Sequence, residues 1–225
     1  MYDIGEHTVK VKAVDLYGAE SDWQTYTFKV VDVEAATISF TLSTNGSTNF
    51  NIKGNGNKTT YSDMGYSTVL KVGTSETNIT NGTGSNNGVT LNTTLENIND
   101  GNYVKITYKV KNTTSEKKTI GIATHADIMI NNDDRATITN ISGDRGFTMT
   151  DGTYNYKVML RNTQMVTDVD TYWFGQYGQR TSHLWDSNGI TNPLTGVDSG
   201  MVYSWKDRKI AAGETQEYIS IIGLE

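Results

Sequence analysis

The sequence predicts an all-β protein, a large antiparallel β-sandwich preceded by a β-hairpin, and three observations carry that reading. Runs of alternating apolar and polar residues recur along the 225 residues, the mark of strands with one buried and one solvated face. Asx-Gly pairs, which accept φ > 0, separate those runs at Asn45-Gly46, Asn55-Gly56, Asn81-Gly82, Asp100-Gly101, Asp151-Gly152 and Asn188-Gly189. Thr, Asn, Ser and Gly are abundant, helix formers are sparse, and Pro193 is the single proline.

The opening stretch, GEHTVKVKAVDLYGAESDWQTYTFKVVD over residues 5–32, alternates cleanly. Val9, Val11 and Ala13 fall on one face, and Tyr26, Phe28 and Val30 follow a turn around Gly18, which predicts a hairpin. Two strands alone cannot bury an apolar face, so the hairpin of residues 1–33 either packs on the main domain, 34–225, or is the remnant of a module, in which case Asp32 to Ala36 is the junction. The pattern G-x-H-T-V-x-V-x-A-x-D, a G-x-x-S turn and a closing x-F-x-V strand resemble the last two strands of immunoglobulin-like or PKD-like modules of bacterial surface proteins. Met1 reads as an added start, and Leu224 and Glu225 as a terminal addition.

Within the main domain, strands are expected at Thr37–Leu42, Asn49–Lys53, Ser67–Val72, Val89–Leu95, Tyr103–Asn112, Lys118–Ile130, Ala136–Asn140, Phe147–Thr150, Tyr154–Arg161, Gly200–Trp205 and Gln216–Ile222. Ser43 to Gly88 is poor in large apolar residues, and long polar loops are expected there. The run NYVKITYKVKNTTSEKKTIGIATHADIMI reads as the strongest hairpin, with Val104, Ile106, Tyr108 and Val110 alternating against Lys105, Thr107, Lys109 and Lys111. GMVYSWKDRKIAAGETQEYISIIG closes the chain as strand, turn at Gly213, strand.

The spine and the closing pair, with Trp205, Ile210, Gly213, Glu214, Thr215 and Tyr218, are similar to the pattern of the galactose-mutarotase-like supersandwich across residues 37–223. The resemblance implies a large antiparallel domain of a kind that hosts enzymes, accessory domains of glycosidases and binding modules alike. Enzymes of the mutarotase type use a histidine acid and a carboxylate base. The histidines here are His7, His125 and His183; Glu214 lies in the closing turn and Glu96 and Glu116 in loops, so the catalytic pair does not map.

The composition narrows the partners. Net charge is -6 and the pI about 5.1, so the surface repels phosphate backbones and nucleic acid is not expected. Cysteine is absent, which removes disulfides, thiolate metal sites and a Cys nucleophile. No run of 18 or more apolar residues exists, so membrane insertion by a helix is not expected. The lack of cysteine fits either a reducing compartment or a Gram-positive surface, and the module resemblance implies the second: an extracellular, secreted or cell-wall-attached bacterial protein, with neighbouring modules of the same polypeptide as partners.

One stretch departs from a plain scaffold: DVDTYWFGQYGQRTSHLWD, Asp168 to Asp186. Sugars offer C–H faces to stack on and hydroxyls to hydrogen-bond, and Trp173, Tyr177, Gln176, Gln179, Arg180, His183, Trp185 and Asp186 supply both kinds of surface. A surface or host glycan is therefore the expected partner, with a non-catalytic binding or adhesion role. Two other classes stay open. A carbohydrate-active enzyme, with His183 or His125 as acid and an Asp as partner, requires those groups to converge in one pocket with the aromatics. A structural stalk requires Trp173 and Trp185 to be buried.

Other clusters carry less. Asn131, Asn132, Asp133 and Asp134, and Asp168 with Asp170, offer hard oxygens of the kind Ca2+ takes, yet match no loop motif, and no cofactor is expected. Lys105 and Lys109, available for a Lys–Asn crosslink, sit where strand lysines are ordinarily solvated. Hydrolase, P-loop, dinucleotide and zinc signatures are missing.

Overall fold

The computed structural model describes residues 5–30, 38–43, 46–54 and 57–225, and it is all-β with large antiparallel sheets. It divides into two units, Met1–Glu34 and Ala35–Glu225. In the first, β1 (Gly5–Val11) pairs antiparallel with β2 (Gln24–Val30), placing Val9 opposite Tyr26 and His7 opposite Phe28. The Asp15 carboxylate accepts from the amides of Tyr17 and Ala19, and Gly18 turns at φ 86°, a left-handed angle that a Cβ would oppose. Val9, Val11, Tyr26 and Phe28 remain exposed. Asp32 to Ala36, read as the junction, lies outside the described residues, as do Asn45, Asn55 and Gly56 of two expected turns.

The second unit builds two sheets. Its strands are β3 (Ile38–Leu42), β4 (Phe50–Gly54), β5 (Asn57–Thr60), β6 (Ser67–Val72), β7 (Ser75–Ile79), β8 (Thr83–Asn86), β9 (Val89–Ile98), β10 (Tyr103–Asn112), β11 (Lys118–Asn131), β12 (Thr137–Asn140), β13 (Gly146–Thr150), β14 (Asn155–Met159), β15 (Thr171–Gln176), β16 (Ser199–Ile210) and β17 (Thr215–Leu224). One sheet runs β12-β13-β14-β17-β10-β9-β8. The other runs β15-β16-β11 and then forks, because β11 pairs with β6 over Ile120 to His125 and with β5 from Ile128. β7 extends the β6 branch; β4 and β3 extend the other.

One expected hairpin proves to be a crossover. β10 pairs with β9 and β17, while β11 pairs with β16, β5 and β6, so the polar loop at 113–117 carries the chain from one sheet to the other. The turn around Gly213 does the same between β16 and β17. Alternation predicts a buried face for each strand but not its neighbour. Here both strands on either side of each of these two loops turn their apolar sides to one shared core. The two crossovers lie side by side, tied by Asn112, whose amide nitrogen donates to the carbonyls of Ile210, Ala211 and Glu116, and whose backbone N–H donates to Glu214 O. Glu214 serves that corner, accepting from the Ala211 amide.

The stretch from Ser43 to Gly88 also corrects expectation: besides β4 and β6 it forms β5, β7 and β8, and no long irregular loop spans it among the described residues. These strands are built from Thr, Ser and Asn, whose short side chains bond inward. Asn86 is buried and donates to the carbonyls of Leu70 and Ser75. The turns are tight, Asn81-Gly82 and Asn87-Gly88 each placing both residues at positive φ as a two-residue hairpin loop requires. Leu224, set aside at the terminus, is 1% exposed and fills the space left by Gly54.

The core between the sheets is aromatic and hydroxylic. Trp205 meets Tyr108, Tyr203 and Tyr218 at 5.5 to 5.8 Å between ring centroids. Fully buried hydroxyls link across: Tyr108 to Thr124 (2.8 Å) and Tyr203 (2.7 Å), Tyr203 to Ser220 (2.9 Å), Thr124 to Thr68 (2.9 Å), and Asn49 Nδ2 to both Thr68 and Thr93 (2.9 Å each). Burial raises the Tyr108 phenol well above its ordinary range, so it stays a protonated donor. Buried polar groups joined this way avoid the penalty of unpaired ones.

Candidate functional site

Even-numbered residues of β11 face the core, as the Thr124 bond to Tyr108 requires, so Gly121, Ala123, His125 and Asp127 face outward. Register places Lys71 and Glu76 beside Gly121, Val69 and Asn78 beside Ala123, and Ser67 beside His125. Gly121, Ala123 and Ser67 are small, which leaves a trough on the outer face. The 3₁₀-helical segment Tyr177–His183 and the residues after it lie over that face. Gly200 on β16 permits the approach: a Cβ there would stand 2.8 Å from Tyr177 Cα.

Trp185 seats on Gly121, where a Cβ would fall 2.8 Å from its Cζ3. The indole Nε1 donates to Glu76 Oε1 at 2.9 Å, the Lys71 ammonium stands 5.0 Å from the ring centroid, and Lys206 Nζ donates to the Trp185 carbonyl at 2.9 Å. Trp185, Lys71, Gly121 and Lys206 line a pocket of about 240 Å³ with Gly73, Thr119 and Asp207. Lys206 and Asp207 reach it through a β-bulge: Ile120 pairs with Arg208 but Ile122 with Trp205, so β16 carries one extra residue there, and Asp207 sits at φ 52°.

A second pocket, of about 290 Å³, lies on the other side of the Trp185–Glu76 bond. His125 and Ser67 line its floor, Thr77 and Asn78 one wall, and Thr181 and Leu184 the covering segment. His125 is 8% exposed, and its Nδ1 has no hydrogen-bond partner. Burial, reinforced by the Arg180 charge, lowers its pKa to about 4, so the imidazole is neutral at physiological pH. Two residues along, burial and then Asp198 push the Asp127 carboxyl up to about 6, against the opposing pull of Arg180.

The expected site residues separate into two groups. Trp173 is 1% exposed, stacked on His183 at 4.5 Å and packed against Gly175, so it offers no face to a ligand, contrary to its expected role as a platform. His183 in turn bonds through Nδ1 to Asp186 Oδ1 at 2.8 Å, and that bond holds the Asp186 carboxyl below the ordinary range. Tyr177 and Arg180 form a pair of their own, with the guanidinium 5.2 Å from the ring and Nη1 donating to the Tyr177 carbonyl. Gln176, at the end of β15, and Gln179, on the 3₁₀ segment, are exposed. Of the aromatics expected to bind, Trp185 alone lines either of these two outer-face pockets.

The carboxylate clusters act locally. Asp168 accepts from the Asn162 amide, Asp170 from the Lys206 amide and the Arg208 guanidinium, and Asp133 from the Arg135 amide. Among the described residues no group of three or more His, Asp or Glu is placed to hold a metal ion. Lys105 pairs with Glu96 and Lys109 with Glu217.

No family model and no curated protein matches the chain. Lys71, Glu76, Gly121 and Lys206 were not expected at the site. Two signals in the sequence mark them in retrospect: the small residues Gly121 and Ala123 on one face of a bulky strand, and the loss of alternation at Lys206-Asp207-Arg208. Among the described residues no helix is long and apolar enough to cross a membrane.

Proposed function

We propose that this chain is a non-catalytic carbohydrate-binding or adhesion module of a secreted or wall-attached bacterial protein, and that it takes sugar at the Trp185 pocket. The observation that carries the reading is Trp185 itself, an indole at a pocket wall contacted by the ammonium groups of Lys71 and Lys206, with Asp207 also in the lining. An indole face receives sugar C–H groups, and lysine and carboxylate groups bond hydroxyls from the sides. The absence of cysteine and the acidic surface fit that setting.

An enzymatic role has less support. His183 is engaged by Asp186 and Trp173, and neutral His125 has no proton of the imidazolium kind to give near neutral pH. The stalk reading draws on one observation, the burial of Trp173.

A glycan-array screen of the purified chain separates these readings, run beside Lys71→Ala and Trp185→Ala variants whose folding is checked by circular dichroism. Binding lost in the folded variants supports the module reading. A blank array with both variants folded removes the sugar reading and leaves the stalk.

A further inference from the structure

The His125 pocket differs from the Trp185 pocket in kind. Its lining is hydroxyl- and amide-rich, from Ser67, Thr77, Asn78 and Thr181, with Leu184 as an apolar cover. Its one charged lining group, Glu76, is already engaged by the Trp185 indole and by Lys71 at 3.4 Å. At its floor lies a nine-tenths buried imidazole with an unpartnered nitrogen. A buried polar atom without a partner carries a standing penalty, which a hydroxyl bound in the pocket would remove once the imidazole turns that nitrogen toward it. Neutral imidazole carries one N–H and one lone pair, a match for a hydroxyl, which both donates and accepts.

We propose that the His125 pocket is a second sugar subsite, built for a neutral pyranose, so that the outer face takes an oligosaccharide that spans the Trp185–Glu76 bond instead of a single ring. The proposal rests on the sugar reading of the Trp185 pocket. Gly121 and His125, which underlie the two pockets, are four residues apart on β11, about 13 Å along an extended strand. That distance is a short oligosaccharide, longer than one ring.

The test uses the full chain with 15N-labelled histidine and tryptophan, titrated with cellohexaose, maltohexaose and chitohexaose and with their mono- and disaccharides. The ring nitrogens of His125 report one pocket and the indole N–H of Trp185 the other. The expected result is that one hexasaccharide moves both signals and binds about tenfold or more tightly than its disaccharide. His125→Phe, which fills the floor, then brings the hexasaccharide down to disaccharide affinity, and Asn78→Ala at the exposed rim weakens it in the same direction should the Phe variant not fold.

Movement of Trp185 alone, with no dependence on chain length, overturns the second subsite and leaves the first standing. Movement of His125 alone removes the Trp185 reading and overturns the oligosaccharide that spans both pockets. If none of these sugars moves either signal, both readings fall.

Discussion

The Trp185 indole and the Glu76 carboxylate, 109 residues apart in sequence, meet at 2.9 Å and form the wall between the two outer-face pockets. The bond fixes the indole over Gly121 and leaves its ring beside Lys71. A sugar platform must be held still before the ligand arrives, since ordering a loose ring subtracts from affinity.

Removing that bond should release the platform with little effect on the fold. Glu76 is partly exposed, so its contacts with Trp185 and Lys71 stabilise the domain by at most about 1 kcal/mol. In Glu76→Ala the indole N–H cross-peak of Trp185 should shift and broaden while the denaturation midpoint barely moves. Glu76→Gln, which keeps a carbonyl acceptor, should restore the peak. An unshifted indole signal in the Ala variant would show that packing alone holds the ring.

Gly121 offers the converse test. A methyl group there would stand 2.8 Å from the indole, closer than real side-chain carbons come, so Gly121→Ala must lift Trp185 off the sheet. The residue faces outward, away from the core formed by Ile120 and Ile122, but lies buried beneath Trp185, and the added carbon would stand 3.3 Å from the Trp205 carbonyl oxygen, so the variant should fold with a loss of about 1–3 kcal/mol. Hydrogen exchange of the β11 amides should stay slow while any glycan binding disappears. A variant that binds like wild type would place the sugar elsewhere.

In the core, the hydroxyl chain through Tyr108 and Tyr203 should behave as a unit. Tyr203→Phe leaves Tyr108 and Ser220 each short of a partner in a fully buried setting, which costs about 1–3 kcal/mol. Tyr108→Phe should cost a similar amount, and the double variant less than the sum of the two, because the bond the singles break is counted twice. Strict additivity in urea denaturation would mean that the hydroxyls act independently.

How much of this was legible in the sequence follows from what alternation encodes. Val104, Ile106, Tyr108 and Val110 announced a strand with one buried face, and β10 spans the expected residues. What alternation does not encode is the partner of that face. A loop of five residues reads the same whether it closes a hairpin or carries the chain to the opposite sheet, and so the expected pairing of β10 with β11 is not found, whereas the closing strand, turn and strand stand as expected. β7 (SETNI) and β8 (TGSN) carry neither an apolar alternation nor, with their Asn and Gly, a strand propensity, so pairing with β6 and β9 makes them strands and local sequence does not announce them. Within the aromatic stretch, composition singled out Trp173 and Trp185 equally. The fold separated them, since β15 places Trp173 beneath His183, whereas Trp185 comes after the 3₁₀ segment and meets Glu76 from the far end of the sheet.

The pH dependence of stability should carry opposed contributions from His125 and Asp127, which sit two residues apart on one face of β11 and share Arg180. His125, with its pKa lowered to about 4 by burial and Arg180, binds fewer protons folded than unfolded between about pH 4 and its ordinary value of about 6.5. It therefore makes stability rise with pH across that window. Asp127, raised to about 6 by burial and Asp198, binds more protons folded than unfolded between its ordinary value and about pH 6, so it makes stability fall over nearly the same window. Each variant should expose the other term when compared with wild type. Asp127→Asn should gain stability relative to wild type as pH rises from about 4 to 6, then hold that gain. His125→Gln should gain relative to wild type as pH falls from about 6.5 to 4. Urea denaturation at half-unit steps of pH reads both differences, and curves that run parallel to wild type would mean that neither group is buried as the structure has it.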